Sequence, residues 1–248
     1  LLVLPPPGFA ADTVETWDVG ATDVDFYLGW DGIGGSRLDQ AVYGDIMLGY
    51  GILPGFSAYL GVAQEGNGHF DRGASTTYAG IFGTPVDTDH FDLDLFLNIE
   101  SGLLVPGGFN IGPSLELNFD ADPEMNSWGL FLRAGLPLHG RASAHELSTD
   151  FKQQQTEFHF DATVGAYWTA APGHQIVMEY DSTISPYEHD GHDHSVEVGG
   201  AALGYNFLVA ESLEMITHAY FDIPQNGSDQ FVMGFMAGFI ATLPAGPG

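Results

Sequence analysis

The densest group of side chains able to do chemistry is Glu188-His189-Asp190-Gly191-His192-Asp193-His194. Imidazole and carboxylate donors at this spacing suit zinc, nickel or copper, and His192 and His194 share one side if the segment is extended. The same composition describes a polar surface loop with incidental histidines. A metal site at His189, His192 and His194 is therefore one of two readings. Catalysis finds less support. His194 and Ser195 are adjacent, and neighbours on a strand point to opposite faces, so they cannot act as base and nucleophile on each other. His145-Glu146-Leu147-Ser148-Thr149 lacks the second histidine of a zinc-protease helix. With no cysteine in the chain, thiolate metal sites and thiol nucleophiles are excluded. No glycine loop of the phosphate-cradling type is present either, and the expectation is a protein that is not an enzyme and carries no cofactor.

The remaining chemistry is carboxylate. Aspartate and glutamate number 33 against 5 lysines and arginines, for a net charge of −28 in 248 residues. Nucleic-acid binding requires clustered cations to neutralise phosphate, so no nucleic-acid partner is expected. Disorder is also excluded, because 44% of residues are hydrophobic and 13% aromatic. The apolar start, Leu-Leu-Val-Leu-Pro-Pro-Pro-Gly-Phe-Ala over 1–10, leads into the small residues Ala10 and Ala11, as the back half of an export signal does. Residues 1–11 are accordingly expected to be a leader remnant, and 12–248 a single β-barrel domain. Beyond that start, the longest apolar run is Phe231 to Ala241, well short of the roughly 18 residues of a spanning helix.

Alternation positions these carboxylates. From Phe91 to Glu100 the odd positions are all apolar and the even ones polar apart from Phe96, which is the period of a strand with two unlike faces. The same parity recurs at Leu115 to Asp120, Glu157 to Trp168, Gln175 to Asp181 and Leu213 to Asp222. Breakers at Leu53-Pro54-Gly55, Val105-Pro106-Gly107-Gly108, Asp122-Pro123 and Ala171-Pro172-Gly173 divide the runs. About twelve strands result, near 22–31, 40–51, 55–65, 75–84, 90–104, 109–121, 126–138, 155–169, 174–184, 194–208, 211–222 and 229–242. Their connections are short on one rim and longer on the other, with 105–108 the exception. That asymmetry predicts an all-β fold, a single transmembrane antiparallel up-and-down β-barrel of about 12 strands.

A soluble exported β-sandwich would alternate in the same way, with the apolar parity as its core. Aromatic residues near strand ends on the apolar parity (Trp30, Trp128, Trp168, Phe221, Phe231) and glycines inside strands (Gly129, Gly135, Gly165, Gly199, Gly234, Gly238) favour the barrel. The polar parity then lines the lumen with Asp23, Asp25, Asp45, Asp92, Asp94, Glu100, Glu116, Asp120, Glu157, Asp161, Glu179, Asp181, Glu197, Glu214 and Asp222, against Arg133 as the one basic residue. Rings of carboxylates are how pores select cations.

The segment from Gly44 to Leu60, with Gly49-Tyr50-Gly51 at a strand end, resembles a hairpin of Gram-negative outer-membrane transporter-like barrels. Ala202 to Phe207, Glu211 to Glu214 and the terminal Phe231 to Leu243 resemble their last hairpin and closing strand, although the chain continues through Pro244-Ala245-Gly246-Pro247-Gly248. The family it is most similar to is the transporter-like group annotated with the MetA pathway of phenol degradation. The resemblance implies the bacterial outer membrane, lipid around the wall, and passage of small solutes or cations. A non-conducting barrel that docks an envelope protein or forms a homo-oligomer is the alternative.

Overall fold

The computed structural model describes residues 16–34, 39–67, 73–102, 109–121, 128–136, 138–141, 155–158, 160–185, 195–210, 212–224 and 231–245. The expected leader remnant and the histidine-rich segment lie outside them. Strands follow one another as β1 (Thr22–Gly34), β2 (Asp39–Leu53), β3 (Phe56–Asn67), β4 (Gly73–Thr88), β5 (Phe91–Gly102), β6 (Phe109–Asp120), β7 (Trp128–Gly135), β8 (Leu138–Arg141), β9 (Gln155–Phe158), β10 (Phe160–Ala171), β11 (His174–Ser185), β12 (Ser195–Ala210), β13 (Leu213–Pro224) and β14 (Phe231–Leu243).

All pairings are antiparallel, sequence neighbours pair from β1 to β7 and from β10 to β14, and the ring closes between β1 and β14, from Thr22 opposite Leu243 to Gly34 opposite Phe231. Two staves are interrupted. β7 and β8 both pair with β6, and their partners across the next seam are β10 and β9 respectively. The fourteen strands therefore make a closed barrel of twelve staves. The break between β7 and β8 adjoins Pro113 of β6, whose ring nitrogen cannot donate to the ladder. Closure pairs β1 with β14, and pairing round the ring is the condition for a β structure inside a bilayer.

Tight turns occupy one rim. Gly55 (φ 67°) and Gly173 (φ 71°) adopt the left-handed conformation that two-residue hairpin turns require and that a side chain disfavours. The β4–β5 ladder shifts register between Gly83 and Val86, across Pro85, an irregularity that spares the sheet a missing donor.

The wall is apolar outside. Leu28, Leu48, Leu60, Leu95, Leu97, Leu130, Leu132, Val164, Leu203 and Phe235 are all exposed. Trp128 and Trp168 face each other across the β7–β10 seam near the tight-turn rim, where an aromatic girdle belongs. A soluble sandwich, the competing expectation, is overturned by this arrangement. It would bury the leucine parity, whereas Leu95 is 48% exposed and its neighbour Asp94 1%.

Candidate channel lumen

Strand alternation carries every second residue inward, so lumen composition follows directly from parity. Asp23, Asp25, Asp45, Asp94, Glu116, Arg133 and Glu179 are buried on the inner face. Asp92, Glu100, Asp120, Asp161 and Glu214 lie on the same parity and are half-buried. Asp181 shares it too but is exposed, and accepts a hydrogen bond from Thr163 Oγ1 at 2.6 Å. Glu157, Glu197 and Asp222 are strand residues whose side chains fall outside the described set, and Glu197 lies where the β11–β12 register shifts.

Several of the carboxylates accept hydrogen bonds from neighbouring wall residues. Thr84 Oγ1 donates to Asp94 Oδ1 at 2.5 Å, and Asn118 Nδ2 donates to Asp94 Oδ2 at 3.1 Å. Arg133 Nε donates to Glu116 Oε2 at 2.7 Å, with a second contact from Nη2. Glu116 is fully buried, a position in which an ionised carboxylate is tolerated only when a cation and hydrogen bonds replace its water. Around β1 and β2, Tyr78 Oη donates to Asp45 Oδ1 at 2.6 Å, Tyr27 Oη to Asp25 Oδ2 at 3.4 Å and Thr242 Oγ1 to Asp23 Oδ1 at 2.7 Å. The donors there are neutral hydroxyls. Among the described residues, no group of three histidine or carboxylate side chains is arranged to hold a metal ion.

Aromatic side chains on the polar parity also line the wall, a feature the charge pattern did not reveal. Tyr43, Tyr59, Tyr78, Phe131, Tyr167 and Tyr27 are directly paired across a seam with Gly29, Gly80, Gly61, Gly165, Gly129 and Gly238. Each ring covers the space that a Cβ at its glycine would need. The glycines thus let rings lie against bare backbone, rather than letting two backbones approach. A glycine opposite an aromatic residue of inward parity was the available signal.

Trp17, which precedes β1, also enters the tight-turn mouth. Its backbone N–H donates to Ser57 Oγ at 3.1 Å, and its ring meets Phe82 edge-on at 5.0 Å. Phe82 in turn stacks on Phe96 at 5.6 Å. The turn behind it is tied to the wall by Gly20 N–H to Gly51 O and Gly51 N–H to Ala21 O, at 2.8 and 3.1 Å. No sequence pattern marked this residue, because it belongs to no strand.

No protein family matches the sequence, and no curated protein does. Solved structures match the fold. The NanC porin aligns with a TM-score of 0.64 at 11% identity, covering 89% of this chain and 100% of that one. A KdgM porin in complex with disordered oligogalacturonate aligns at 0.60 and 10%, covering 90% and 99%. An outer membrane channel from Pseudomonas putida F1 aligns at 0.63 and 10%, covering 97% and 100%. The general part of the resemblance read from Gly44 to Leu60 therefore stands, while the phenol-degradation transporter family is matched by no finding. With its closed ladder, apolar outer belt and polar inner face, the chain has the twelve-stranded fold of the outer-membrane porin barrels.

Proposed function

We propose that the protein is a channel of the bacterial outer membrane that passes small solutes and favours cations. The charge of the inner wall carries this reading. Asp23, Asp25, Asp45, Asp94, Glu116 and Glu179 are buried on the inner face, and Arg133, the one arginine or lysine buried there among the described residues, is engaged by Glu116. Carboxylates fixed on a narrow wall raise the local concentration of cations and repel anions. An acidic saccharide like the oligogalacturonate named with the KdgM porin would meet like charge here, so the solute is neutral or cationic. The transporter role implied by the phenol-degradation resemblance is a finer form of the same proposal, and catalysis has no part in it.

Reversal potential in a KCl gradient across a planar bilayer tests the reading. It should favour K⁺, and the preference should fall as salt rises, since screening acts over about 10 Å at 0.1 M. Replacing Asp23 and Asp94 together by asparagine should weaken it. An anion-favouring potential at low salt would refute cation preference.

A non-conducting structural barrel is the second reading. The near-complete burial of Ser57, Asp94, Glu116 and Ile216 supports it, as does the entry of Trp17 into the mouth. Correctly assembled barrels that pass no current at any salt would favour it over the channel.

A further inference from the structure

The outward surface over β13 is uneven. Thr217 and Ala219 are small outward residues flanked by large ones: Tyr205 and Leu203 oppose them on β12, and Phe235 opposes Ala219 on β14. Ile176 of β11 extends the same wall beyond Tyr205. Between these side chains lies a recess of about 290 Å³, floored by Gly204, Thr217, His218 and Ala219. Thr217 Oγ1 donates to the carbonyl of Tyr205 at 2.9 Å. Its hydroxyl is thereby satisfied by the wall, and the floor remains apolar.

One end of the recess is polar. His174 Nδ1 lies 2.7 Å from Tyr205 Oη, and the His174 ring stacks on Tyr205 and Phe207 at 6.0 and 6.2 Å between centroids. His174 follows the Pro172-Gly173 turn, on the tight-turn rim, which in barrels of this kind faces the periplasm. From Phe207, opposite His174, up to Leu203 is four residues of strand, about 13 Å along the strand and, with the usual tilt, about 10 Å toward the midplane. A polar stack at headgroup depth thus sits directly below an apolar hollow at acyl-chain depth.

We propose that this surface holds one phospholipid of the periplasmic leaflet, with an acyl chain in the recess and its phosphate at His174. The occupant follows from position: the recess opens through a wall whose whole outer belt is covered by lipid, and its polar end lies at the interface. A chain entering from surrounding lipid gains no hydrophobic free energy, because it leaves an equally apolar medium. It gains contact with a concave wall, and residence then depends on the polar anchor. In the tautomer in which Tyr205 Oη donates to Nδ1, the imidazole proton sits on Nε2, from which it can hydrogen-bond a phosphate oxygen. This inference does not rest on conduction, so its failure leaves the channel reading intact.

Native mass spectrometry of the detergent-extracted barrel, with phospholipid of defined composition added back, provides the test. Wild-type protein should retain one phospholipid under activation that strips the rest. Ala219→Leu fills the hollow with a side chain the lipid-facing wall tolerates, and should abolish retention; Thr217→Leu is the second variant if the first assembles poorly. His174→Ala should lower retention roughly fivefold, the scale of one lost polar contact. Ala79→Leu, an outward substitution on β4 far from the recess, should change nothing. Three results would overturn the proposal: no retained phospholipid in the wild type, retention unaffected by both leucine variants, or a recess-dependent dimer instead of a lipid adduct.

Discussion

Glu116 and Arg133 show how a single charge pair constrains a barrel interior. Glu116 is fully shielded from solvent, and Arg133 reaches it through both Nε and Nη2 while its guanidinium lies 6.0 Å from the Phe131 ring. Breaking such a pair is costly because the surviving charge stays buried, about 3–5 kcal/mol, whereas replacing both partners is often nearly neutral. Arg133→Met should therefore lower the temperature at which the barrel loses its compact electrophoretic mobility. Combining it with Glu116→Gln should restore most of the loss. If the single and double variants melt together, the pair contributes nothing to assembly. The pairing itself was only half legible: alternation put both residues on the inner parity, but Glu116 and Arg133 meet because β6 and β7 align them in register.

At the scale of the element, the strand has two solvents, one on each face. β5 presents Leu95, Leu97 and Ile99 to the outside, and Asp94, Phe96 and Asn98 to the inside. A lipid-facing cation near the bilayer midplane costs about 2–4 kcal/mol, so Leu95→Arg should reduce the assembled fraction and the heat-modifiable band. Asp94→Asn preserves shape and can still accept from Thr84, and should assemble normally. Equal loss in the two variants would mean that the parity has been assigned to the wrong media. Strand runs were legible because lipid demands a nearly unbroken apolar parity. Interruptions were less so, since the break after β7 depends on which strand lies beside Pro113, and no single segment records its neighbour.

For the whole molecule, what matters is how wide the closed ring is inside. Twelve staves with rings laid over glycines make a lined tube, and Trp17 reaches into its tight-turn mouth from outside the sheet. Trp17→Ala removes the ring that meets Phe82 and should raise single-channel conductance, with ion preference little changed because no charge is altered. Unchanged conductance would place the narrowest point elsewhere along the lumen. The variant should also leave heat-modifiable mobility near the wild-type value, because the strand ladder does not involve the indole.

The sequence by itself determined the fold class and the strand number. Those properties depend on which residues alternate and where glycine and proline stop the alternation, and both are local. It also placed Asp23, Asp25, Asp45 and Glu179 on the inner face, since parity within a strand needs no partner. Only the tertiary structure decided which inward groups meet: Tyr78 with Asp45 across the intervening β3, Asn118 with Asp94, and Trp17 with Ser57 and Phe82. It also decided that Thr217 and Ala219 form a hollow, because a small residue becomes a recess only when its cross-strand neighbours are large. Register, stagger and closure bring those neighbours together across tens to hundreds of residues of chain, and they are properties of the ring rather than of any strand.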